Sequence, residues 1–342
     1  MLDFQPTEEI LEITMRMREF VDRELLPLEP KMMEEGFGAV LPELEEKRAQ
    51  VKALGLWAPN HPQEYGGMGL DLVDHGLVSE VLGRTPMGHY TFGCNAPDAG
   101  NIETVQLFGS AEQKAAWLPR MVGGERTCFI MTERNNSGAN PLFLETTAVR
   151  DGDEWVINGT KFYISGAGDP RCRILITMVQ TDPDGPPHRR QSQILVPIDA
   201  PGLTIDHPMT VFGEDDAPHG HMHLTFDDCR VPYGNLLLGE GRGFEISQLR
   251  LGPGRIHHCM RSIGAAERAV ELMARRGLHR EAFGKPIAHL GKNMEVVSRA
   301  RIDIEAMRLM VLRAARAMDT MGNVEARVWI SAVKAMVPEK VC

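Results

Sequence analysis

The hydrophobic period of this chain changes twice along its length, and that change limits the folds open to it. Up to about Gly124 the apolar residues recur at helix spacing, with Ile10, Ile13, Met17, Phe20 and Val21 on one helical face. Thr7 stands where an N-cap belongs, Glu8 and Glu9 follow it, and Pro27 and Pro30 are expected to end the segment. From about Glu125 to Asn235 the pattern is that of strands. Thr146 to Val149, Trp155 to Ile157 and Phe162 to Ile164 are β-prone, and the Asp151-Gly152 and Asn158-Gly159 pairs between them predict two hairpin turns. Further strands are expected at Ile174 to Val179, at Gln193 to Ile198, and over Met222, Leu224 and Phe226, which alternate with polar neighbours. From about Phe244 the helical period returns. Ile256, Met260, Ile263, Ala266, Val270 and Met273 mark one helix, and Ile302, Ile304, Ala306, Leu309, Met310 and Leu312 mark another. Strands that do not alternate with helices argue against a doubly wound sheet. The expectation is an α+β chain: an N-terminal helical domain over 1–124, a central antiparallel β-barrel domain over 125–238, and a C-terminal helical bundle over 239–342.

A length of 342 residues suits two or three such domains. The net charge of -10 repels a phosphate polymer, so nucleic acid is not an expected partner. The six cysteines form no CxxC pair and fit neither a zinc site nor a disulfide framework, which suits a reducing compartment. Met1-Leu2-Asp3-Phe4 lacks the character of a signal peptide, and no apolar run is long enough to span a bilayer. A soluble intracellular protein is expected, cytoplasmic, or mitochondrial or peroxisomal in a eukaryote. His219, His221 and His223 alternate and could share a strand face as a metal cluster. No carboxylate or cysteine spacing supports them, so ordinary strand histidines are the preferred reading and no metal is expected. Gly239, Gly241 and Gly243 lack the strand-turn-helix context of a dinucleotide fingerprint. His257 and His258 beside Cys259 point apart on a predicted helix, and no nucleophilic triad is evident.

Several longer motifs occur in a telling order. Phe129-Ile130-Met131-Thr132-Glu133 opens a loop that runs through Ser137-Gly138-Ala139-Asn140. Asn158-Gly159-Thr160-Lys161-Phe162-Tyr163-Ile164-Ser165-Gly166 follows, then Val211-Phe212-Gly213, Arg230-Val231-Pro232 and Leu238-Gly239-Glu240-Gly241. The runs from Arg250 to Arg261 and from Arg280 to Pro286 complete the set. Together they resemble the acyl-CoA dehydrogenases, most closely the branch of family members ten and eleven and their bacterial relatives. The resemblance implies FAD as cofactor, an acyl-CoA thioester as substrate, loss of an alpha proton to a carboxylate and of a beta hydride to the flavin. It also implies an electron-transferring flavoprotein as acceptor, a homodimer or homotetramer, and medium to long or 4-hydroxy acyl chains. On that likeness Phe129, Met131, Thr132, Gly138 and Ala139 belong to the flavin loop, with Thr132 on the flavin ring. Ser165 falls near its N5 edge, and Tyr163 supplies an aromatic wall where the family often has tryptophan. Arg280, flanked by Phe283, matches a residue reaching the FAD pyrophosphate of a neighbouring subunit, and Arg255 one beside the thioester. Without the likeness these would read as strand hydroxyls, a core tyrosine and surface arginines.

The sequence departs from the family pattern in two places. In the flavin loop Arg134 stands for proline, Ala139 for a serine that binds phosphate or substrate, and Asn140 for aspartate. Losing one hydroxyl contact to an anion costs about 1.5–3 kcal/mol. The chain also stops at Cys342, where relatives continue, so the C-terminal bundle is expected to be incomplete and the usual catalytic base to lie beyond Cys342. The alternative base position is Gly254, and Asp98, Asp215 and Glu245 match no catalytic position. The second expectation is therefore a catalytically impaired relative that binds FAD or acyl-CoA or assembles with a full-length partner; an acyl-CoA oxidase is a third, within the same fold.

Overall fold

The computed structural model describes residues 6–213 and 220–342. Helix α1 (Glu8–Phe20) opens on Thr7, whose side chain accepts from the Ile10 amide, and it buries Ile10, Met17 and Phe20. The prolines do not end the segment as expected. The chain winds on through a π turn (Val21–Leu25) and a 3-10 turn, and Pro30 sits in the first turn of α2 (Glu29–Glu35), where a missing amide hydrogen leaves no helix bond unmade. Helices α3 (Phe37–Ala53), α4 (Leu72–Leu82), α5 (Gly88–Thr91), α6 (Asp98–Phe108) and α7 (Ala111–Val122) close the first helical layer around a core that includes Leu25, Leu44, Phe92 and Leu118.

The middle region is a curled half-barrel of seven strands. These are β1 (Arg126–Ile130), β2 (Thr147–Asp151), β3 (Glu154–Ser165), β4 (Cys172–Gln180), β5 (Gln191–Pro197), β6 (Leu203–Pro208) and β7 (His221–Pro232). They order as β1-β4-β2-β3-β7-β6, with β5 also on β4. Most pairs are antiparallel, but β1 lies parallel to β4. The Asp151-Gly152 turn forms as expected, joining β2 to β3 with Gly152 at φ 62°. Asn158-Gly159 does not turn. It is a bulge within the continuous strand β3, where Gly159 at φ 141° lets the backbone pass Thr146; a Cβ there would lie 2.7 Å from the Thr146 Cα.

Two long helices form the last layer, α8 (Gly243–His279) and α9 (Gly291–Val341), joined by the short pair β8 (Glu281–Ala282) and β9 (Lys285–Pro286). Helix α9 breaks at Gly322, which has φ 79°. Ile256, Met260 and Ile263 of α8 and Ile304 and Leu312 of α9 are buried together, whereas Ile302 and Leu309, expected on the same apolar face, point outward at 67% and 54% exposure. Helix α4 meets α8 at backbone contact. A Cβ on Gly264 would lie 1.9 Å from the Glu80 carbonyl oxygen. Among the described residues no helix is long and apolar enough to cross a membrane.

Candidate functional site

Where the three layers meet, a cleft of about 940 Å³ opens between the first helices, the sheet and α8. Phe129 of β1 and Ser165 at the end of β3 line its sheet side, and Arg250, His258 and Arg261 line it from α8. The parallel entry of β1 brings Phe129 here, because it carries the chain straight from α7 into the sheet beside β4.

The strand ends are fixed by polar contacts. Ser165 Oγ lies 3.0 Å from His221 Nδ1 on β7. Thr132 Oγ1 donates to the Phe162 carbonyl at 2.5 Å, and the Phe162 amide donates to the Thr132 carbonyl at 3.0 Å. Tyr163, at φ 56° beside a bulge, is 39% exposed and packs edge-on against Phe162, their centroids 4.7 Å apart. The loop after Thr132 is anchored from below by an ion pair the sequence reading did not single out. Lys161 is fully buried; its Nζ donates to Glu133 Oε1 at 2.8 Å and to the Met131 and Met178 carbonyls at 3.2 and 2.7 Å. Glu133 accepts in turn from the Glu145 and Thr146 amides. Burial pushes the Lys161 ammonium down to about 8. Burial pushes the Glu133 carboxyl up, but Lys161 and the amides outweigh this and leave it below the usual carboxylate range.

Beneath Phe129 runs a second buried network. Asp98 accepts from the Thr127 amide and hydroxyl, both at 2.7 Å, and pairs with Arg126 at 2.6 Å. Asn101 donates from Nδ2 to Thr127 Oγ1 at 2.9 Å, which turns its Oδ1 toward Arg250. Arg250 donates to that oxygen from Nε and Nη2 at 3.2 and 3.0 Å, and its guanidinium lies 4.0 Å from the centre of the Phe129 ring. Burial lowers Arg250 to about 10. One helical turn on, Gly254 leaves open space, since a Cβ there would meet nothing within 4 Å. A further turn on, His258 Nδ1 accepts from Arg261, and burial pushes the ring down to about 3. A neutral ring accepting at Nδ1 carries its proton on Nε2, which leaves His258 a hydrogen-bond donor there.

The structure thus brings Phe129 and Ser165 into one cleft, while Thr132 is held to Phe162 outside its lining; Gly138 lies against Thr132, where a Cβ would be 3.3 Å from its Cγ2. Met131, Thr132 and Gly138 share a shallow hollow with Asn140 and Phe143, while Ala139 is exposed. Tyr163 also does not line the cleft, and three further expected residues lie elsewhere. Arg255 lines a separate hollow of about 210 Å³ with Asn323 and Arg327 at the break in α9. Arg280 is exposed, Phe283 is 93% exposed, and neither lines the cleft. The arginines that line the cleft are Arg84, Arg250, Arg261 and Arg268, none of which the residue-by-residue likeness singled out. The four-residue spacing puts Arg250 on one helical face with Gly254 and His258. Asp98 is held in its network, and Glu245 is an exposed partner of Arg242. His221 bonds Ser165 and His223 bonds Asp206 at 2.7 Å, whereas His219 and Asp215 lie outside the described residues. Among the described residues no group of histidine, cysteine, aspartate and glutamate side chains is placed to hold a metal.

A helical layer, a half-barrel and a second helical layer around one cleft define a class of enzyme scaffold, and comparison places this chain within it. Models of the acyl-CoA dehydrogenase N-terminal, middle and C-terminal domains match residues 7–125, 128–229 and 241–342. The chain belongs to the acyl-CoA dehydrogenase family. It is 43% identical over 330 residues to acyl-CoA dehydrogenase family member 10 of Mus musculus, covering 94% of this chain and 31% of that protein. It is 43% identical over 303 residues to FadE2 of Mycobacterium tuberculosis, covering 88% and 74%. A structure from Mycobacterium abscessus assigned to the same family superposes with a TM-score of 0.92 at 40% identity, covering 98% of this chain and 86% of that one. The chain spans less than half the length of its mouse and plant relatives.

Proposed function

We propose that this protein binds FAD with the flavin ring against Thr132, Tyr163 and Ser165 and oxidises an acyl-CoA thioester across its 2,3 bond. The observation that carries this is the cleft itself. In a chain matched by family models along nearly its whole length, Phe129 and Ser165 open onto a space of about 940 Å³ shared with α8. The residues present suit a flavin ring. Tyr163 offers an exposed flat wall, Thr132 and Ser165 offer hydroxyl groups at two strand ends, and the Lys161–Glu133 pair holds the loop between them. When bound, the flavin supplies the acceptor for the beta hydride.

The chain's own residues position and exclude. Phe129 and Tyr163 keep water from the apolar faces of ring and acyl chain. Ser165 is oriented by His221. The α8 residues facing the cleft include no carboxylate, and Gly254 has no side chain, so this face orients the thioester; the alpha proton goes to a carboxylate that the family likeness supplies from outside this face. Glu29, across the cleft, is tied to Arg268 at 2.5 Å. Arg280 and Phe283 project away from the cleft of their own chain, which suits a role on the FAD pyrophosphate of a second subunit in a homodimer or homotetramer. An electron-transferring flavoprotein is the matching acceptor.

The test is an anaerobic visible spectrum of the purified protein loaded with FAD. Bleaching of the flavin band on addition of a saturated acyl-CoA, with appearance of the 2,3-enoyl product, is expected. A protein that takes up no FAD, or whose flavin no acyl-CoA bleaches, would sink this reading.

A further inference from the structure

The cationic groups along the cleft differ in how they are neutralised. Arg84 pairs with Glu271 at 2.6 Å and Arg268 with Glu29 at 2.5 Å, so the arginines at one end are already balanced. Arg250 is not. Its donors reach only neutral oxygens, Asn101 Oδ1 and the Pro97 carbonyl. Glu103 and Asp98 act on it through their charge but do not pair with it: Asp98 is bound by Arg126 and Thr127, and Glu103 by Asn60 at 3.0 Å, with His257 at 3.5 Å. A guanidinium sunk against an aromatic ring without a carboxylate is costly unless something anionic comes to it. Arg250 itself lines the cleft, and in the next turn Gly254 leaves open space, since a Cβ there would meet nothing within 4 Å. Glycine inside a helix sacrifices about 1 kcal/mol relative to alanine, so the opening is maintained against local preference. Beyond it His258 presents a neutral Nε2 donor. Arg250, the gap at Gly254 and His258 thus form a short row of donors on one helical face, starting beside Phe129.

From this geometry we infer that the cleft selects acyl thioesters whose chain carries a second anionic group, a carboxylate, with Arg250 as the specificity-determining residue. The planar fork of Arg250 matches a carboxylate through two parallel hydrogen bonds. The inference rests on the acyl-CoA reading above and refines its substrate class. A thioester with a plain alkyl chain would leave the Arg250 donors facing hydrocarbon, which is the arrangement that discriminates most strongly against an analogue lacking the matching group.

The test measures binding directly, by isothermal titration of the FAD-loaded protein with matched pairs of CoA thioesters: butanoyl against succinyl, hexanoyl against adipoyl, octanoyl against suberoyl, with free CoA as control. At least one carboxylated member should bind about 10-fold or more tightly than its unsubstituted partner, and R250M should bring that ratio close to unity while R250K retains part of it. The wild-type ratio decides the matter even if R250M does not fold. Equal affinities within every pair, a preference for 4-hydroxy over carboxylated chains, or an R250M loss shared equally by free CoA would overturn the assignment. If unsubstituted acyl-CoAs bind and bleach the flavin without any such preference, the dehydrogenase reading stands and only the specificity assignment falls. If no thioester binds, both fall.

Discussion

Lys161 shows how much of the site hangs on single buried groups. Its ammonium reaches Glu133 and two backbone carbonyls with no exposure to solvent, and Glu133 in turn holds the amides of Glu145 and Thr146. Removing one partner of such a pair leaves the other charge buried and unmatched, a loss of about 3–5 kcal/mol. K161M should therefore lower the urea midpoint sharply, and K161M combined with E133Q should recover part of the loss; a K161M protein within 1 kcal/mol of wild type, on the order of a surface change, would contradict the role. The buried histidines bear on pH. Both ring nitrogens of His61 and of His75 lack hydrogen-bond partners. Burial pushes His61 and His89 down to about 3 and His75 well below the ordinary range. In the unfolded chain each takes a proton near its ordinary value of about 6.5. The unfolded state thus binds more protons between about 6.5 and 3, so stability is intact above that window and falls with acidity within it, by up to about 1.4 kcal/mol per pH unit for each ring. Urea titrations from neutral pH down to about pH 4 should show this slope, and H61L should flatten it by one histidine's share. An unchanged slope in H61L would place the acid sensitivity elsewhere. None of these three rings was legible as buried. A histidine on a helix or loop carries no periodic signal, and its burial is decided by α8 packing across from it. Arg250 was hidden for the same reason, since its partner Asn101 lies 149 residues away.

At the scale of elements, what is local in sequence was readable. Thr7 caps α1 through an amide three residues on, and Asp151-Gly152 turns because Gly152 alone sets the needed backbone angle. Asn158-Gly159 has the same local signature but a different outcome. Pairing with β7 on both sides of it keeps β3 extended, and Thr146 demands the close approach that Gly159 permits. The parallel entry of β1 was equally invisible, because the loop and hairpin between β1 and β4 leave no trace of direction in either strand. The approach of α4 to α8 follows this logic too. Gly83 and Gly264 face each other's helix, with hypothetical Cβ atoms 2.1 Å from the Arg261 carbonyl and 1.9 Å from the Glu80 carbonyl. Backbone cannot rotate away as a side chain can, so G264A must separate the helices. A loss of about 3 kcal/mol in urea unfolding is expected, at the upper end for overpacking. Because Arg261 and His258 ride on the same stretch of α8, the variant should also weaken acyl-CoA binding, whereas an equally destabilising change in the β-domain core should not. A G264A protein of unchanged stability would mean that the two helices are less tightly joined than they stand here.

For the whole molecule the decisive question is where Arg280 and Phe283 act. Both project from the β8–β9 pair into solvent, and the cleft of their own chain is lined without them. Leu278, two residues before Arg280, is 60% exposed and is of the kind a second copy would cover. If the two residues serve the flavin of a neighbouring subunit, a defect at Thr132 and a defect at Arg280 fall on opposite sides of each site. T132D and R280E proteins should each retain little FAD alone. Co-expressed, they form mixed dimers in which one site carries both defects and the other carries neither. With random pairing half of the dimers are mixed, so about a quarter of all sites should regain tightly held flavin. A chain carrying both substitutions should regain none when expressed with either single variant beyond what that variant holds alone. Absence of recovery in the co-expressed pair, with mixed dimers demonstrated by differently tagged chains, would show that Arg280 acts within its own chain or not on the cofactor at all. Recovery near the expected fraction would assign each flavin to two polypeptides, and the stability of the holoprotein would then rise with protein concentration, since the cofactor binds only where two chains have met.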